Sequence, residues 1–252
     1  MIVAGATGWV GKPLAEEIRN ADDLRLVGAV SRSAAGQMIG DVTTVSSDDE
    51  ALATPADVFI DYTSASSVKS NVLAAVRKRV HVVVGSSGLT EEDFKSIDDE
   101  AVKAGVGVIA VGNFAITAAL MQKFAVEAAK YLPSWEMIDS ASAGKMDAPS
   151  GTARELASRL AEVRKPELAV AIDETVGLQE ARGADVSGSR VHSVRLPGYT
   201  IGVEVRFGLP DERLTISYDG GTGAGPYISG TMLAIRKVTQ FTGLVRGLER
   251  IL

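Results

Sequence analysis

The stretch MIVAGATGWVGKPLAEEI, residues 1–18, decides how this chain is read. Residues 1–4 are a short apolar run with strand character. A glycine turn follows, carrying Gly5, Thr7, Gly8, Trp9, Val10 and Gly11. Pro13 suits a first helical turn, where its missing N–H leaves no bond unmade. Leu14 and Ile18 continue the helix, and Glu16 and Glu17 are expected near its positive end. Residues 24–30, LRLVGAV, read as a second strand. Strand, glycine turn, helix and strand in this order read as a dinucleotide-binding unit, with a purely structural turn as the alternative. Gly5 makes the tight turn, Gly8 lets backbone approach a pyrophosphate, and Gly11 permits close helix–strand packing.

The end of the second strand bears on the cofactor. A carboxylate there would accept bonds from the adenosine ribose of NAD. This chain has Ser31-Arg32-Ser33, and a guanidinium suits a 2′-phosphate. NADPH is therefore the expected cofactor, with NADH the alternative.

Farther along, residues 57–62 form a nearly apolar strand of the kind covered on both faces. Val68, Val72 and Val76 mark a helix over 67–77, and residues 80–84 a further strand. Thr90 ahead of Glu91, Glu92 and Asp93 reads as a capped helix start, running to about residue 104. Residues 106–111 add a strand. Alternation of this kind predicts a parallel α/β sheet. Ligands gather beyond the strand ends of such sheets, which makes Tyr62, Thr63, Gly85, Ser86 and Ser87 cofactor candidates. Asn113 and Phe114 join them, at the point where the chain leaves this sheet.

The pattern then changes. Helices are expected over 115–131, 152–163 and 227–241, and strands over 135–140, 191–196, 200–207 and 212–218. The fold class is α/β, a Rossmann-like parallel-sheet domain with an inserted α+β mixed-sheet substrate domain. The expected division is 1–113 with 222–252 for nucleotide binding, and 114–221 for substrate binding and oligomerisation.

Composition narrows the function. The 252 residues are 46% hydrophobic, enough for a sizeable core. A net charge of −6 gives no support for nucleic-acid binding. The basic run Arg77-Lys78-Arg79 fits a helix C-terminus. There is no cysteine, and the two histidines, His81 and His192, lie far apart, so no metal is expected and both are read as structural. No apolar run approaches a membrane span, and a cytoplasmic protein is expected.

A second loop, ASAGKMDAPSGTA at 141–153, is the candidate for substrate binding. Ser150, Gly151 and Thr152 are small and open a helix whose apolar stripe is Ala153, Leu156, Ala157 and Leu160. Thr152 is expected either to cap that helix or to leave its N–H groups for a ligand. Lys145 is placed to fold back beside them. An ammonium and a helix start together hold a carboxylate of a small acidic substrate. A capped helix with a solvated lysine is the plainer alternative.

With GATGWVG at 5–11, DYT at 61–63, VVVGSSGLT at 82–90, NF at 113–114, KMDAPSGTA at 145–153, VHSVRLPG at 191–198 and AIRKV at 234–238, the chain resembles the dihydrodipicolinate reductase family of lysine and diaminopimelate biosynthesis. The resemblance implies reduction of 4-hydroxy-tetrahydrodipicolinate with NADH or NADPH, and a homotetramer. It implies that Lys145 contacts substrate and is a candidate proton donor, and that Gly151 and Thr152 bind a substrate carboxylate. Family members usually carry paired histidines before the lysine; here Ala141 and Ser142 occupy those positions. The family often has a histidine before a glutamate where this chain reads Ile201-Gly202-Val203-Glu204, and an arginine-containing run where it has the glycine-rich 219–225. Histidine suits proton transfer at neutral pH, whereas an ammonium is a poor acid unless burial changes it. Ser142 is a candidate holder of a water in place of the lost group. A reductase of another imine or carbonyl acid and a non-catalytic nucleotide-binding regulatory protein are the competing readings.

Overall fold

The computed structural model describes residues 1–252. In chain order the elements begin β1 (Ile2–Ala4), α1 (Gly11–Asn20), β2 (Gly28–Val30), β3 (Met38–Ile39), β4 (Val42–Val45), α2 (Asp48–Ala51), β5 (Val58–Asp61) and α3 (Val68–Arg77). They continue with β6 (His81–Val84), α4 (Glu91–Ala104), β7 (Gly107–Ala110), α5 (Ile116–Ala129), β8 (Ser134–Ala141), α6 (Gly151–Val163), β9 (Ala184–Val186) and β10 (Ser189–Arg195). The last are β11 (Ile201–Leu209), β12 (Glu212–Gly220), α7 (Gly225–Lys237) and β13 (Gly243–Arg246). The chain forms two compact units, Met1–Ile116 with Ala224–Leu252, and Thr117–Gly223.

The first unit holds an eight-stranded sheet in the order β13-β7-β6-β5-β1-β2-β4-β3. All its pairings are parallel except β3 with β4. Strands β1, β2, β5 and β7 are buried at every residue, as strands covered on both faces must be. Helix α1 buries Leu14, Ala15 and Ile18, and each large apolar side chain so buried contributes about 1.5–3 kcal/mol. Helix α4 opens on a capping box between Thr90 and Asp93 and closes on Gly105.

Several expected boundaries move. The second strand covers only residues 28–30 of the expected 24–30, because its partner β1 begins at Ile2, opposite Gly28, and leaves nothing earlier to pair with. Helix α1 starts at Gly11, which puts Glu16 and Glu17 beyond its first turn. Helix α7 stops at Lys237, and a 3₁₀ turn covers Val238–Gln240. Strand β13 follows and extends the sheet beside β7; its four residues are too few to show a period.

The second unit is a five-stranded mixed sheet, β12-β11-β8-β10-β9. Strand β8 alternates strictly, burying Trp135, Met137, Asp139 and Ala141 and half-exposing the residues between. Helix α6 buries Ala153, Leu156, Ala157 and Leu160, the stripe expected from its sequence. His192 Nε2 lies 2.8 Å from Glu136 Oε2, and His81 Nδ1 in the first unit accepts the Gly107 N–H at 2.8 Å.

Candidate active site

The glycine turn works through what it lacks. Gly5 has φ of +78°, and a Cβ there would lie 2.1 Å from the Tyr62 carbonyl oxygen. A Cβ on Gly11 would lie 2.0 Å from the Gly5 carbonyl oxygen. The helix therefore starts directly against the first strand, and Gly8 N–H donates back to Gly5 O at 2.9 Å. Thr7 Oγ1 and Ser31 Oγ, 2.7 Å apart, tie the turn to the end of β2.

Beyond the strand ends lies a cleft of about 690 Å³. Gly5, Thr7, Gly8, Arg32, Tyr62 and Thr63, all expected at the cofactor, line it together. Its floor is fixed by Asp61, fully buried at the end of β5. Asp61 Oδ1 accepts bonds from Thr63 N (3.1 Å), Thr63 Oγ1 (2.9 Å) and Ser86 Oγ (2.5 Å). Its Oδ2 accepts from Asn71 Nδ2 at 2.8 Å. Tyr62 and Thr231 join their hydroxyls at 2.6 Å, and burial pushes the Tyr62 phenol well up from its ordinary value.

The other cofactor candidates lie outside this lining. Trp9 is 58% exposed, with its ring edge-on to Tyr227 at 5.4 Å. Val10 precedes the first residue of α1. Gly85 packs against the Tyr62 ring, which leaves no room for a Cβ, and Ser87 is exposed. Asn113 is buried and its Oδ1 accepts the Ala115 N–H at 2.9 Å; Phe114 is buried with its ring 6.0 Å from that of Tyr62.

The lysine loop belongs to the second unit. Lys145 Nζ lies 2.8 Å from Asp147 Oδ1, and that bond holds the Asp147 carboxyl below its ordinary value. Ser142 accepts the Lys145 N–H at 3.0 Å and is exposed, while Ala141 is fully buried. The cap of α6 is Ser150, whose Oγ accepts the Ala153 N–H at 3.3 Å. Thr152 is buried within the first turn; the helix begins one residue earlier than expected, so it cannot be the cap.

Two residues that hold this loop escape a reading of the sequence. Asp139, fully buried on β8, accepts bonds at Oδ2 from Ser150 N (2.9 Å), Ser193 Oγ (3.2 Å) and Arg195 Nη2 (2.8 Å). The same Arg195 nitrogen donates to the Asp147 carbonyl oxygen at 2.7 Å. The buried ion pair thus grips both sides of the turn that ends in Ser150. The one signal in the sequence is an aspartate at an inward position of an alternating strand. In the first unit Asp48 and Asn71 are joined to the cleft only by the fold, while Ser86, expected from the sequence, lies outside the lining and hydrogen-bonds Asp61.

A glycine turn running into a helix, an open cleft beyond parallel strands and an inserted mixed sheet define a two-unit dinucleotide-binding oxidoreductase. The family model described as dihydrodipicolinate reductase, N-terminus, matches residues 1–114, and its C-terminal counterpart matches 117–252. The chain belongs to the dihydrodipicolinate reductase family and works with NADH or NADPH. It is 38% identical over 262 residues to a 4-hydroxy-tetrahydrodipicolinate reductase of Desulfitobacterium hafniense (strain DSM 10664 / DCB-2), covering 100% of this chain and 98% of that one. A similar protein of Synechococcus elongatus (strain ATCC 33912 / PCC 7942 / FACHB-805) is 38% identical over 268 residues, covering 100% and 98%. The structure of a dipicolinate-bound dihydrodipicolinate reductase from Paenisporosarcina sp. TG-14 superposes with a TM-score of 0.85 at 31% identity, covering both chains fully. A probable dehydrogenase from Thermotoga maritima, 15% identical with a TM-score of 0.66 over 99% of this chain and 91% of that one, shares the fold.

Proposed function

We propose that this chain reduces 4-hydroxy-tetrahydrodipicolinate to tetrahydrodipicolinate, with loss of water, and takes NADPH in preference to NADH. The observation that carries this reading is likeness along the whole chain to reductases of that name. The solved relative bound to dipicolinate, a pyridine dicarboxylate, supports an acidic ring as substrate. The unit Met1–Ile116 with Ala224–Leu252 binds the nucleotide, and Thr117–Gly223 binds substrate and forms the oligomer contacts.

The cofactor supplies a hydride when bound; the chain orients both partners and handles charge. Gly5, Thr7, Gly8, Trp9, Val10 and Gly11 receive the pyrophosphate, and Arg32 the 2′-phosphate. Tyr62, Thr63, Gly85, Ser86, Ser87, Asn113 and Phe114 hold the remainder. Ser150, Gly151 and Thr152 offer a substrate carboxylate the positive start of α6. Lys145 already holds a carboxylate, that of Asp147, and a substrate carboxylate exchanges with it. Lys145 stabilises the charge that hydride addition moves onto the ring and is the candidate proton donor. Ser142 lies one turn away and positions a water. Ala141 and Ser142 in place of paired histidines make turnover slower, since a lost general acid costs about 10²–10⁴ in rate.

No helix is long and apolar enough to cross a membrane, which supports a cytoplasmic setting. Assembly into a homotetramer is proposed on the family likeness alone. The test is cofactor oxidation on mixing the purified protein, NADPH and freshly generated substrate. Steady oxidation that depends on substrate is expected. Tight NADPH binding without turnover would transfer the reading to another imine or carbonyl acid.

A further inference from the structure

The cleft carries a carboxylate for which the proposed reaction has no role. Strands β2 and β4 are parallel neighbours with Val30 opposite Val45, and Ser31 N–H donates to Val45 O at 2.9 Å. The segments leaving them, 31–33 and 46–48, therefore run side by side, and both line the cleft. Arg32 comes from the first and Asp48 from the second. These are the only two charged side chains in the lining; the rest is glycine, valine, hydroxyls and the Asn71 amide. Asp48 is partly buried, and its Oδ1 is wholly buried without a hydrogen-bond partner. Burial pushes its carboxyl up from its ordinary value, as do Asp61 from β5 and the neighbouring Asp49, while its own backbone N–H and Arg32 pull it down.

A partly desolvated carboxylate lacking a bond is costly, and a donor that reaches it relieves the cost. An ionised carboxylate only accepts, so a hydroxyl satisfies it and a phosphate cannot. We propose that Asp48 sets cofactor choice against Arg32: its carboxylate accepts a ribose hydroxyl of NADH and repels the 2′-phosphate of NADPH. The inference rests on this cleft holding the adenosine end of the cofactor. Arg32 alone would give a strong preference for NADPH; the opposing pair narrows it, so that both cofactors serve.

Titration of NADPH and of NADH, followed by cofactor fluorescence at fixed pH and salt, tests this without any substrate. Asp48→Asn keeps the size and removes the charge. It should tighten NADPH by about tenfold, the worth of one like-charge contact near a surface, and weaken NADH several-fold. Arg32→Ala should shift the ratio of the two Kd values the other way. Asp48→Glu, which restores the charge, should leave the ratio near that of the wild type, and thermal melting checks that each variant is folded. Equal changes in both Kd values for Asp48→Asn, or a ratio within twofold of wild type, would overturn the role of Asp48. Failure of the wild-type protein to bind either cofactor would overturn the cleft assignment and this inference with it.

Discussion

The glycine turn and the lysine loop are built on opposite principles. The glycine turn is held by close approach: Gly5 and Gly11 have no side chains, so strand, turn and helix touch backbone to backbone. The lysine loop is held by charge: Asp139 and Arg195, 56 residues apart in sequence, meet in the sheet and grip the turn before α6 from both sides. The first is local where Gly11 meets Gly5, and it leans on the backbones of the adjoining strands at Tyr62 and Val30. The second exists only once β8 and β10 have paired.

This contrast can be broken by removing each device. The largest effect is expected from Asp139→Ala, which leaves the Arg195 guanidinium 15% exposed and without its carboxylate. Breaking a buried pair from one side costs about 3–5 kcal/mol, read as a lower midpoint in denaturant with an unchanged slope. A loss under about 1 kcal/mol would show that the loop stands without the pair. Gly11→Ala should cost less, about 1–3 kcal/mol, since its Cβ must push the Gly5 carbonyl aside. Tolerance of alanine there at no cost would contradict the close approach. Smallest is the Lys145–Asp147 pair, largely solvated and worth about 0.2–1 kcal/mol. The Asp147 carboxyl is held below its ordinary 3.8, so its contribution is present above that value and lost as pH falls through the lower folded one. Wild type and Asp147→Asn should therefore differ in Tm at pH 6 and converge towards pH 2.

The same contrast explains what could be read from the sequence. The alternation of strands and helices, the glycine turn and the apolar stripe of α6 are local patterns, and each appears where its residues place it. The shortened second strand was not legible, because its length is set by where β1 begins. Strand β13 was hidden by its brevity. Asp139, Arg195, Asn71 and Asp48 gained their places from pairings distant in sequence; an aspartate in isolation does not say which side of a sheet it faces. The cap of α6 fell to Ser150 and not Thr152 because a buried carboxylate fixes the Ser150 N–H and starts the helix there.

The central claim is that the lysine loop does the chemistry on substrate while the glycine turn serves the cofactor. Lys145→Ala, measured for kcat/KM with 4-hydroxy-tetrahydrodipicolinate and for the Kd of NADPH on the same preparation, tests it most directly. The expected result is a fall of at least about 100-fold in kcat/KM, the lower range for loss of a general acid, with the NADPH Kd within about twofold of wild type. Unchanged turnover, or a loss of cofactor affinity matching the loss of rate, would contradict it.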